Sequence, residues 1–330
     1  MLAAFYTRTG PARDVLEVGE IETPAAGPGE VRVRLAASGV NPSDVKTRGG
    51  VRSRDLPFPR IVPHSDGAGV IEQVGDGVPR DRLGERVWVW NAAWGRPSGT
   101  AAQYVVLPAQ QAVPLPANTS FEAGACLGIP ALTAYHAVHC NGGVAGKTVL
   151  VAGGAGAVGH YAVQFAKIAG ARLVVATVSG AAKAALARDA GADVIINYRT
   201  EDLAQRCLDL SAGVGVDRII ELDLAANLQT DLAALRRDGE ITVFGSGLPE
   251  IALPFFPAIL KNVRFQFFIV YNLSDADRTA GLAGVTALLN QGRLKHNIDA
   301  RLPLARIADA HELVESGKTL GNVVIDLPAN

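Results

Sequence analysis

The chain has 330 residues, of which 48% are hydrophobic and 19% charged, so it is long enough for two folded domains. Its net charge of −1, with no dense run of Lys or Arg, gives no electrostatic basis for binding nucleic acid or an acidic membrane surface. Three cysteines are too few for a disulfide framework and favour a reducing, cytoplasmic setting. The most apolar stretch, 251–260, is too short to span a bilayer, and we expect a small-molecule partner.

The first third of the sequence has the pattern of β-structure. Residues 30–35 alternate charged and apolar side chains, as a strand with one solvated face does. Residues 87–90 and 104–107 are further strand candidates, and turn signals such as 27–29 and 75–77 separate the candidates. Short strands between such turns predict a small barrel or a folded sheet.

Between about Phe121 and Gly247, apolar β-branched runs alternate with alanine-rich helical stretches. The strand candidates are evenly spaced and begin at Thr148, Arg172, Asp193, Val216 and Glu240. This spacing is typical of successive βα units, and nearly unbroken apolar strands indicate a sheet with helices on both faces. The sequence therefore predicts a doubly wound parallel sheet, followed by a helix near 279–289 and a final strand at 322–327.

A glycine-rich loop, Gly154-Ala155-Gly156-Ala157-Val158-Gly159, directly follows the first strand of this region. A helix with an apolar face at Val158, Ala162, Phe165 and Ala169 opens at the same loop. In such loops the first glycine makes the tight turn, the second lets the backbone approach a pyrophosphate, and the third lets helix and strand pack closely. The pattern predicts a dinucleotide site with the phosphates at the helix N-terminus.

The residues after the second strand indicate which nicotinamide cofactor binds. An NAD site places Asp or Glu at the end of this strand, whereas here Thr177 and Ser179 are followed by Lys183. The third strand ends near Tyr198 and Arg199. Hydrogen-bond donors and a positive charge, with no carboxylate to repel it, favour a 2′-phosphate. We therefore predict that the cofactor is NADPH, held by Thr177, Ser179, Lys183 and Tyr198. An ordinary solvated helix position is the alternative for Lys183.

At this point the sequence resembles the medium-chain dehydrogenase/reductase superfamily, specifically its zinc-free quinone oxidoreductase (zeta-crystallin-like) branch. Besides the glycine loop, the resemblance rests on the segments 39–44, 64–70, 131–135 and 191–198. It implies a GroES-like catalytic domain formed by residues 1–122 and 265–330 and a Rossmann NADPH-binding domain at 123–264. It also implies a homodimer.

The resemblance also indicates where zinc-dependent members of the superfamily carry metal ligands. Those members have Cys at the position of Asn41, His-Glu at Ser65-Asp66, and Cys near Ile129. Zinc requires nitrogen and sulfur ligands in a near-tetrahedral array, so the residues here predict no metal site.

The family's functional positions can be carried over residue by residue. Asn41 matches a hydrogen-bond donor near the substrate carbonyl and Ser43 a relay hydroxyl, although both residue types also suit a turn. Trp94 and Tyr271 are predicted to line the acceptor pocket. The further cofactor-binding positions are Asn41, Thr133, Phe244, Gly245, Phe268, Val270 and Asn322.

The function that the resemblance implies is metal-independent hydride transfer from NADPH to a quinone or an α,β-unsaturated carbonyl compound. Such acceptors generate a delocalised oxyanion that hydrogen-bond donors can stabilise. An enoyl-thioester reductase of the same superfamily and a non-catalytic NADPH-binding or sensing protein remain as alternatives.

Overall fold

The structure is a computed structural model that describes residues 1–51 and 53–328. Its contacts divide the chain into two units. Unit 1 consists of Met1–Pro130 and the segment from Leu282 onward, and unit 2 consists of Ala131–Gly281. No helix in the described residues is long and apolar enough to cross a membrane.

The strands and helices are numbered separately in chain order. The strands are β1 (Leu2–Phe5), β2 (Glu17–Glu20), β3 (Glu30–Val40), β4 (Asp66–Val74), β5 (Arg86–Val89), β6 (Tyr104–Pro108), β7 (Ala112–Pro114), β8 (Thr148–Val151), β9 (Leu173–Val178), β10 (Val194–Asn197), β11 (Val216–Glu221), β12 (Leu235–Val243), β13 (Arg264–Phe267), β14 (Ile298–Pro303) and β15 (Asn322–Asp326). The helices are α1 (Ala12–Val15), α2 (Pro42–Arg48), α3 (Phe121–Gly124), α4 (Leu132–His139), α5 (Ala157–Ile168), α6 (Ala181–Asp189), α7 (Leu203–Leu210), α8 (Leu224–Ala234), α9 (Phe255–Leu260), α10 (Asp275–Asn290) and α11 (Ile307–Glu315).

Unit 1 is built on a seven-stranded sheet in the order β14-β15-β3-β4-β5-β7, with β6 paired to β3. Antiparallel β1 and β2 form a separate two-stranded sheet. Val31, Val33 and Leu35 of β3 point into the buried core, whereas Arg32 and Arg34 alternate with them, as predicted. Trp88 is fully buried in β5. The β-rich first third and the final strand of the prediction are thus confirmed.

Unit 2 contains a six-stranded parallel sheet in the order β10-β9-β8-β11-β12-β13. The chain runs outward from β8 through β9 to β10, and then resumes at β11 on the other side of β8. Helix α5 packs against α4 and α6, whereas α7 packs against α8. This is the doubly wound arrangement that the sequence predicts, and its topological switch point lies between β8 and β11.

Strand β12 differs from the prediction in where it begins, and helix α5 differs in how much of its surface is buried. Strand β12 begins at Leu235 rather than Glu240, because Leu235 pairs with Val216 although exposed charged residues follow it. Those charged residues concealed the start of the strand from a pattern based on apolar runs. Helix α5 is buried throughout 159–166 rather than along one stripe, since α4 covers the side away from the sheet.

The boundaries between the units lie further along the chain than the sequence placed them. The predicted boundary at 264/265 would cut β13, which is hydrogen bonded to β12 as the last strand of the unit 2 sheet. The predicted boundary at 122/123 precedes Ile129, whose backbone N–H is bonded to Asp66 in unit 1. These hydrogen bonds join β13 to unit 2 and Ile129 to unit 1.

Candidate cofactor site and active site

The tight turn after β8 is made by Gly153, not by Gly154 as the sequence suggested. Gly153 has a φ of +63°, in the left-handed region, and a Cβ added there would lie 2.5 Å from the Leu222 side chain. Gly154 is not in the left-handed region, but its own added Cβ would lie 2.6 Å from Cβ of Ala176 on β9. The pair Gly153-Gly154 therefore combines the sharp turn with close packing against the neighbouring strand.

Gly159 allows α5 to approach the turn, as the sequence predicted. A Cβ at this position would lie 2.2 Å from the carbonyl oxygen of Gly153. At Gly156, by contrast, an added Cβ would meet only the Gly153 carbonyl oxygen, at 3.3 Å. The space over Gly156 is otherwise open, which fits the close approach of a phosphate to the backbone.

The first backbone N–H groups of α5 lack acceptors within the described residues. Gly156 donates to the Gly153 carbonyl at 2.8 Å and His160 to that of Gly156 at 3.0 Å. The N–H groups between them, at Ala157, Val158 and Gly159, remain for a ligand. Unpaired N–H groups at the positive end of a helix form an anion site, so the structure here fits the pyrophosphate of a dinucleotide.

Thr177 fixes the glycine turn from the end of β9. Its hydroxyl accepts the N–H of Gly153 at 2.9 Å, and its carbonyl accepts the N–H of Gly154 at 3.0 Å. Thr177 is buried, with 5% of its surface exposed. The side chain that the sequence assigned to the cofactor therefore holds the glycine turn in place.

The residues predicted for the 2′-phosphate meet at the carboxyl ends of β9 and β10. Ser179 directly follows β9, and Lys183 lies in the first turn of α6. The backbone N–H of Tyr198 donates to the Val178 carbonyl at 3.2 Å, which places Tyr198 beside the end of β9. The Lys183 ammonium makes no hydrogen bond or ion pair within the described residues, so its charge is available to a ligand.

Other predicted cofactor residues gather where β11, β12 and β13 end. The Phe244 N–H donates to the Glu221 carbonyl at 3.1 Å, and the ring of Phe244 lies 6.3 Å from that of Phe268. Gly245 is necessary because an added Cβ would lie 2.1 Å from the carbonyl oxygen of Leu222. Val270, Tyr271 and Thr133 belong to the same unit and are buried.

In unit 1, Asn41 is held by two carboxyl groups. It is the N-cap residue of α2 and is only 3% exposed. Its backbone N–H donates to Asp44 at 2.8 Å, and its side-chain Nδ2 donates to Oδ2 of Asp66 at 2.9 Å. The same Oδ2 accepts the Ile129 N–H at 3.0 Å. The structure thus brings together Asn41, Asp66 and Ile129, which the resemblance matches to metal-ligand positions, and joins them through an amide, a carboxyl group and a backbone N–H.

Asp66 is fully buried, and its Oδ1 has no hydrogen-bond partner within the described residues. Burial, reinforced by the charge of Asp44, raises the pKa of Asp66 well above its usual range. Gly128 leaves room for this carboxyl group, since an added Cβ would lie 2.3 Å from Oδ1. Across the described residues, no three His, Cys, Asp or Glu side chains are grouped as metal ligands.

The remaining predicted residues of unit 1 lie in different local settings. Ser43 is in the first turn of α2, two residues from Asn41, and its carbonyl accepts the Thr47 hydroxyl. Trp94 is 40% exposed in the loop after β5. Asn322 begins β15, and its side chain donates to the Asn297 carbonyl at 2.9 Å. The amide of Asn322 thus already has a protein partner.

A hydrogen-bonded chain that the sequence did not reveal runs from Asp66 to α11. The Asp66 carbonyl accepts from Thr100 at 2.5 Å, and the Thr100 hydroxyl lies 2.7 Å from that of Ser38. Ser38 lies 2.8 Å from Nδ1 of His64, whose Nε2 lies 2.9 Å from Nε2 of His311. Burial lowers the pKa of His64 to about 3, so both rings are neutral at pH 7, since the pKa of His311 is lowered as well.

Because a carbonyl only accepts, the direction of this chain is fixed. The Thr100 hydroxyl donates its proton to the Asp66 backbone carbonyl, so the Ser38 hydroxyl must donate to Thr100. His64 must then donate from Nδ1 to Ser38. His311 then donates from Nε2 to Nε2 of His64, so Nδ1 of His311 carries no proton. This Nδ1 is buried and has no hydrogen-bond partner within the described residues.

Comparison with known families agrees with both units. Residues 27–117 match the alcohol dehydrogenase GroES-like domain family, and residues 157–284 match the zinc-binding dehydrogenase family. The chain is 30% identical to an alcohol dehydrogenase of Geobacillus stearothermophilus, with 94% of this chain and 96% of that protein covered. It is 31% identical to the quinone oxidoreductase of Rattus norvegicus, with 93% and 92% covered. It is 30% identical to a 2-haloacrylate reductase of Burkholderia sp, with 98% of each covered.

Solved structures give the same result. An NAD-dependent alcohol dehydrogenase superposes with a TM-score of 0.91 at 31% identity, covering 99% of this chain and 100% of that one. A mycobacterial protein complexed with NADPH superposes with a TM-score of 0.86 at 28% identity, covering 99% of each chain. A GroES-like unit together with a glycine turn on a doubly wound sheet defines a nucleotide-dependent oxidoreductase. The chain belongs to the medium-chain dehydrogenase/reductase superfamily.

Proposed function

We propose that this protein is an NADPH-dependent, metal-independent reductase that transfers hydride to a quinone or an α,β-unsaturated carbonyl compound. The observation that carries the proposal is the pair of complementary anion sites in unit 2. Within the described residues, three N–H groups at the start of α5 lack acceptors, and Lys183 in the first turn of α6 forms no ion pair. The first site fits a pyrophosphate and the second fits a 2′-phosphate.

The proposed acceptor class rests on unit 1 and on two relatives. When bound, NADPH supplies the hydride. Asn41 donates one Nδ2–H to Asp66, which orients the amide and leaves its second N–H for the oxygen of the acceptor. Because the raised pKa of Asp66 favours its neutral form, the carboxyl group adds no charge that would repel a developing oxyanion. A quinone oxidoreductase and a 2-haloacrylate reductase are similar along nearly their whole length, which supports easily reduced, conjugated acceptors.

Residues near Asn41 do not fit a zinc site in this proposal. Asn41, Asp66 and the Ile129 N–H already satisfy one another through Oδ2 of Asp66. A zinc site takes at least three protein ligands from thiolate, imidazole and carboxylate groups, whereas an amide, one carboxyl group and a backbone N–H offer only one such ligand. We therefore assign polarisation of the acceptor carbonyl to hydrogen bonds from Asn41, with Ser43 of the same helical turn as the second candidate donor.

The 2′-phosphate assignment is tested by Lys183→Ala. Because a charge-assisted hydrogen bond contributes about 1.5–3 kcal/mol, we expect the Kd for NADPH to rise roughly ten- to a hundredfold while that for NADH barely changes. Fluorescence titration with each cofactor measures both. Arg188→Ala, at the exposed C-terminal turn of the same helix, is the matched control and should change neither Kd. Equal losses for the two cofactors would remove Lys183 from the phosphate site.

We also propose that the protein is a homodimer formed through the β13 edge of unit 2. Within the described residues, strand β13 is the last strand of its sheet, so one side of its backbone is unpaired. Beside it, α9 exposes large apolar side chains, including Phe256 at 71% and Leu260 at 70%. Exposed apolar patches next to an edge strand are typical of interfaces, and a second copy presents the same complementary strand.

The interface is tested by the double variant Phe256→Ser/Leu260→Ser. Burying a large apolar side chain contributes about 1.5–3 kcal/mol, so the dimer dissociation constant should rise at least about a hundredfold. Sedimentation velocity over a range of concentrations measures this change. Val214→Ser removes an apolar side chain of 62% exposure elsewhere on unit 2 and should leave the dimer intact. A wild-type protein that is monomeric at every concentration would refute the proposal.

A further inference from the structure

Helix α11 is joined to the Asn41 site on one side by a pair of histidines. His311 on α11 is fully buried, and its Nε2 lies 2.9 Å from Nε2 of His64. The two rings are stacked, with their centroids 5.1 Å apart. His64 stands two residues before Asp66, whose carboxyl group binds the Asn41 side chain. The histidine pair therefore joins α11 to the segment that leads into β4.

His64 occupies a backbone conformation that few side chains adopt. Its φ is +76°, in the left-handed region where glycine is the usual residue. Such a conformation persists only where the surrounding contacts hold it. The His64 carbonyl accepts the Thr100 N–H at 2.9 Å, and Nδ1 of the ring lies 2.8 Å from the Ser38 hydroxyl. Since Nε2 is bonded to His311, both ring nitrogens help to fix the turn before Asp66.

The same helix is joined to the other side of the Asn41 site by an ion pair. Asn41 is the N-cap residue of α2, and Arg48 is the last of the seven residues of that helix. The Arg48 side chain is only 1% exposed, and its guanidinium donates to the Glu315 carboxylate on α11 and to the Gly10 carbonyl. Because α2 has only about two turns, a shift of its Arg48 end also moves Asn41.

Both contacts come from one face of α11. His311 and Glu315 are four residues apart, so they lie on the same side of the helix, which packs directly against α2. Ile307, one turn earlier, is buried in the hydrophobic core of unit 1 and anchors this face. A single anchored helix face is therefore bonded to the two segments that place Asn41 and Asp66.

We propose that His311 and Glu315 are positioning residues, through which α11 sets the geometry of the hydrogen bond between Asn41 and Asp66 and so aims the second N–H of Asn41 at the acceptor oxygen. This inference rests on the proposed role of Asn41 in binding that oxygen. Neither His311 nor Glu315 touches the acceptor in this account. A misplaced donor slows hydride transfer, whereas the glycine turn that fits the cofactor lies in unit 2 and keeps its affinity.

The experiment compares wild type with His311→Phe, His311→Gln and Glu315→Ala. Phenylalanine keeps an aromatic ring but offers no donor to His64, whereas the glutamine amide can donate from near the position of Nε2. With NADPH and a quinone, kcat should be at least about tenfold lower in His311→Phe, with the Kd for NADPH unchanged. His311→Gln should recover most of the lost rate. Glu315→Ala removes the acceptor of Arg48 and should lower kcat in the same way.

Two control variants on α11 separate positioning from a general loss of stability. Ile307→Val removes one buried methyl group and no hydrogen bond, and Asp309→Ala removes an exposed carboxylate that pairs with Arg13. Both should keep the wild-type kcat even where urea unfolding shows reduced stability. A wild-type kcat in both His311→Phe and Glu315→Ala, or an equal loss of kcat in the controls, would overturn the proposal.

A second measurement does not depend on turnover. In protein made with isotopically labelled asparagine, the NMR signal of the Asn41 side-chain amide is identified by its absence from the spectrum of Asn41→Ser. This signal should shift in His311→Phe and return towards its wild-type position in His311→Gln, while that of Asn141 in unit 2 stays in place.

The two measurements distinguish the possible failures. If wild type reduces no acceptor, the proposed function fails, and the amide signal still decides the inference. An unmoved Asn41 signal in a folded His311→Phe protein would then refute the positioning role. If His311→Phe does not fold, Glu315→Ala takes its place, and the same shift of the Asn41 signal is expected.

Discussion

Gly159→Ala is expected to weaken NADPH binding at least about a hundredfold. Its Cβ would lie 2.2 Å from the carbonyl oxygen of Gly153 and 2.8 Å from the carbonyl carbon, and both atoms are backbone. Relief requires α5 to move away from the turn after β8, which takes the three unpaired N–H groups away from the pyrophosphate position. A hundredfold loss corresponds to about 2.7 kcal/mol, within reach of three lost charge-assisted hydrogen bonds.

The matched control for Gly159→Ala is a glycine at the other end of the same helix. Gly170 has a φ of +79° and no neighbour within 4 Å of an added Cβ. Asparagine adopts this backbone conformation more readily than other side chains, so Gly170→Asn should bind NADPH as wild type does. Fluorescence titration and circular dichroism are measured on both variants. Normal affinity in a folded Gly159→Ala protein would contradict the assignment of this turn to the pyrophosphate.

Asp66→Ala is expected to destabilise unit 1 by about 2–6 kcal/mol, because it leaves the Asn41 side chain and the Ile129 N–H buried without their acceptor. Asp66→Asn should lose much less stability, since its amide oxygen can accept both hydrogen bonds as the neutral acid does. The protein's three tryptophans, Trp88, Trp90 and Trp94, all lie in unit 1. Urea unfolding followed by tryptophan emission therefore measures the stability of unit 1, in which Asp66 lies.

The pH dependence of the same variants gives an independent test. The pKa of Asp66 is raised in the folded state, so its contribution to stability is complete below the ordinary carboxyl range and is lost as the pH rises through the folded-state pKa. One proton corresponds to a slope of about 1.4 kcal/mol per pH unit. The free energy of unfolding of Asp66→Asn should lack this slope, so the stability of the variant should increase relative to that of wild type as the pH rises. Identical slopes in wild type and Asp66→Asn would show that Asp66 is ionised in the folded protein.

The sequence predicted the architecture of unit 2 well, because its signals are local. Apolar strands recur at even spacing, and the glycine loop is a short continuous segment. The structure confirms the doubly wound sheet and places the loop at its switch point. The prediction was wrong only about which glycine makes the tight turn. The adjacent pair Gly153-Gly154 was the available signal, but only Gly154 fitted the motif.

Contacts between distant segments were beyond the reach of the sequence pattern. His64 and His311 are bonded although 247 positions separate them, and no local spacing points to that pair. The hydrogen bond from Ile129 to Asp66 likewise joins segments that lie 63 positions apart. Glu221 and Asp231 resemble ordinary acidic residues in sequence, and only the fold reveals that both are buried. Long-range hydrogen bonds and burial arise from the fold as a whole, which explains why the sequence revealed the elements better than the site.

The central claim is that this protein reduces conjugated carbonyl compounds with NADPH and without a metal ion. The most direct test is the rate of NADPH oxidation, with NADH in parallel, against a panel of quinones and enones after the protein has been treated with a chelator. We expect turnover with NADPH that chelation does not change, and much lower turnover with NADH at equal concentration. Turnover that disappears on chelation and returns with zinc would contradict the metal-free mechanism, and tight NADPH binding with no turnover on any acceptor would contradict the proposed reaction.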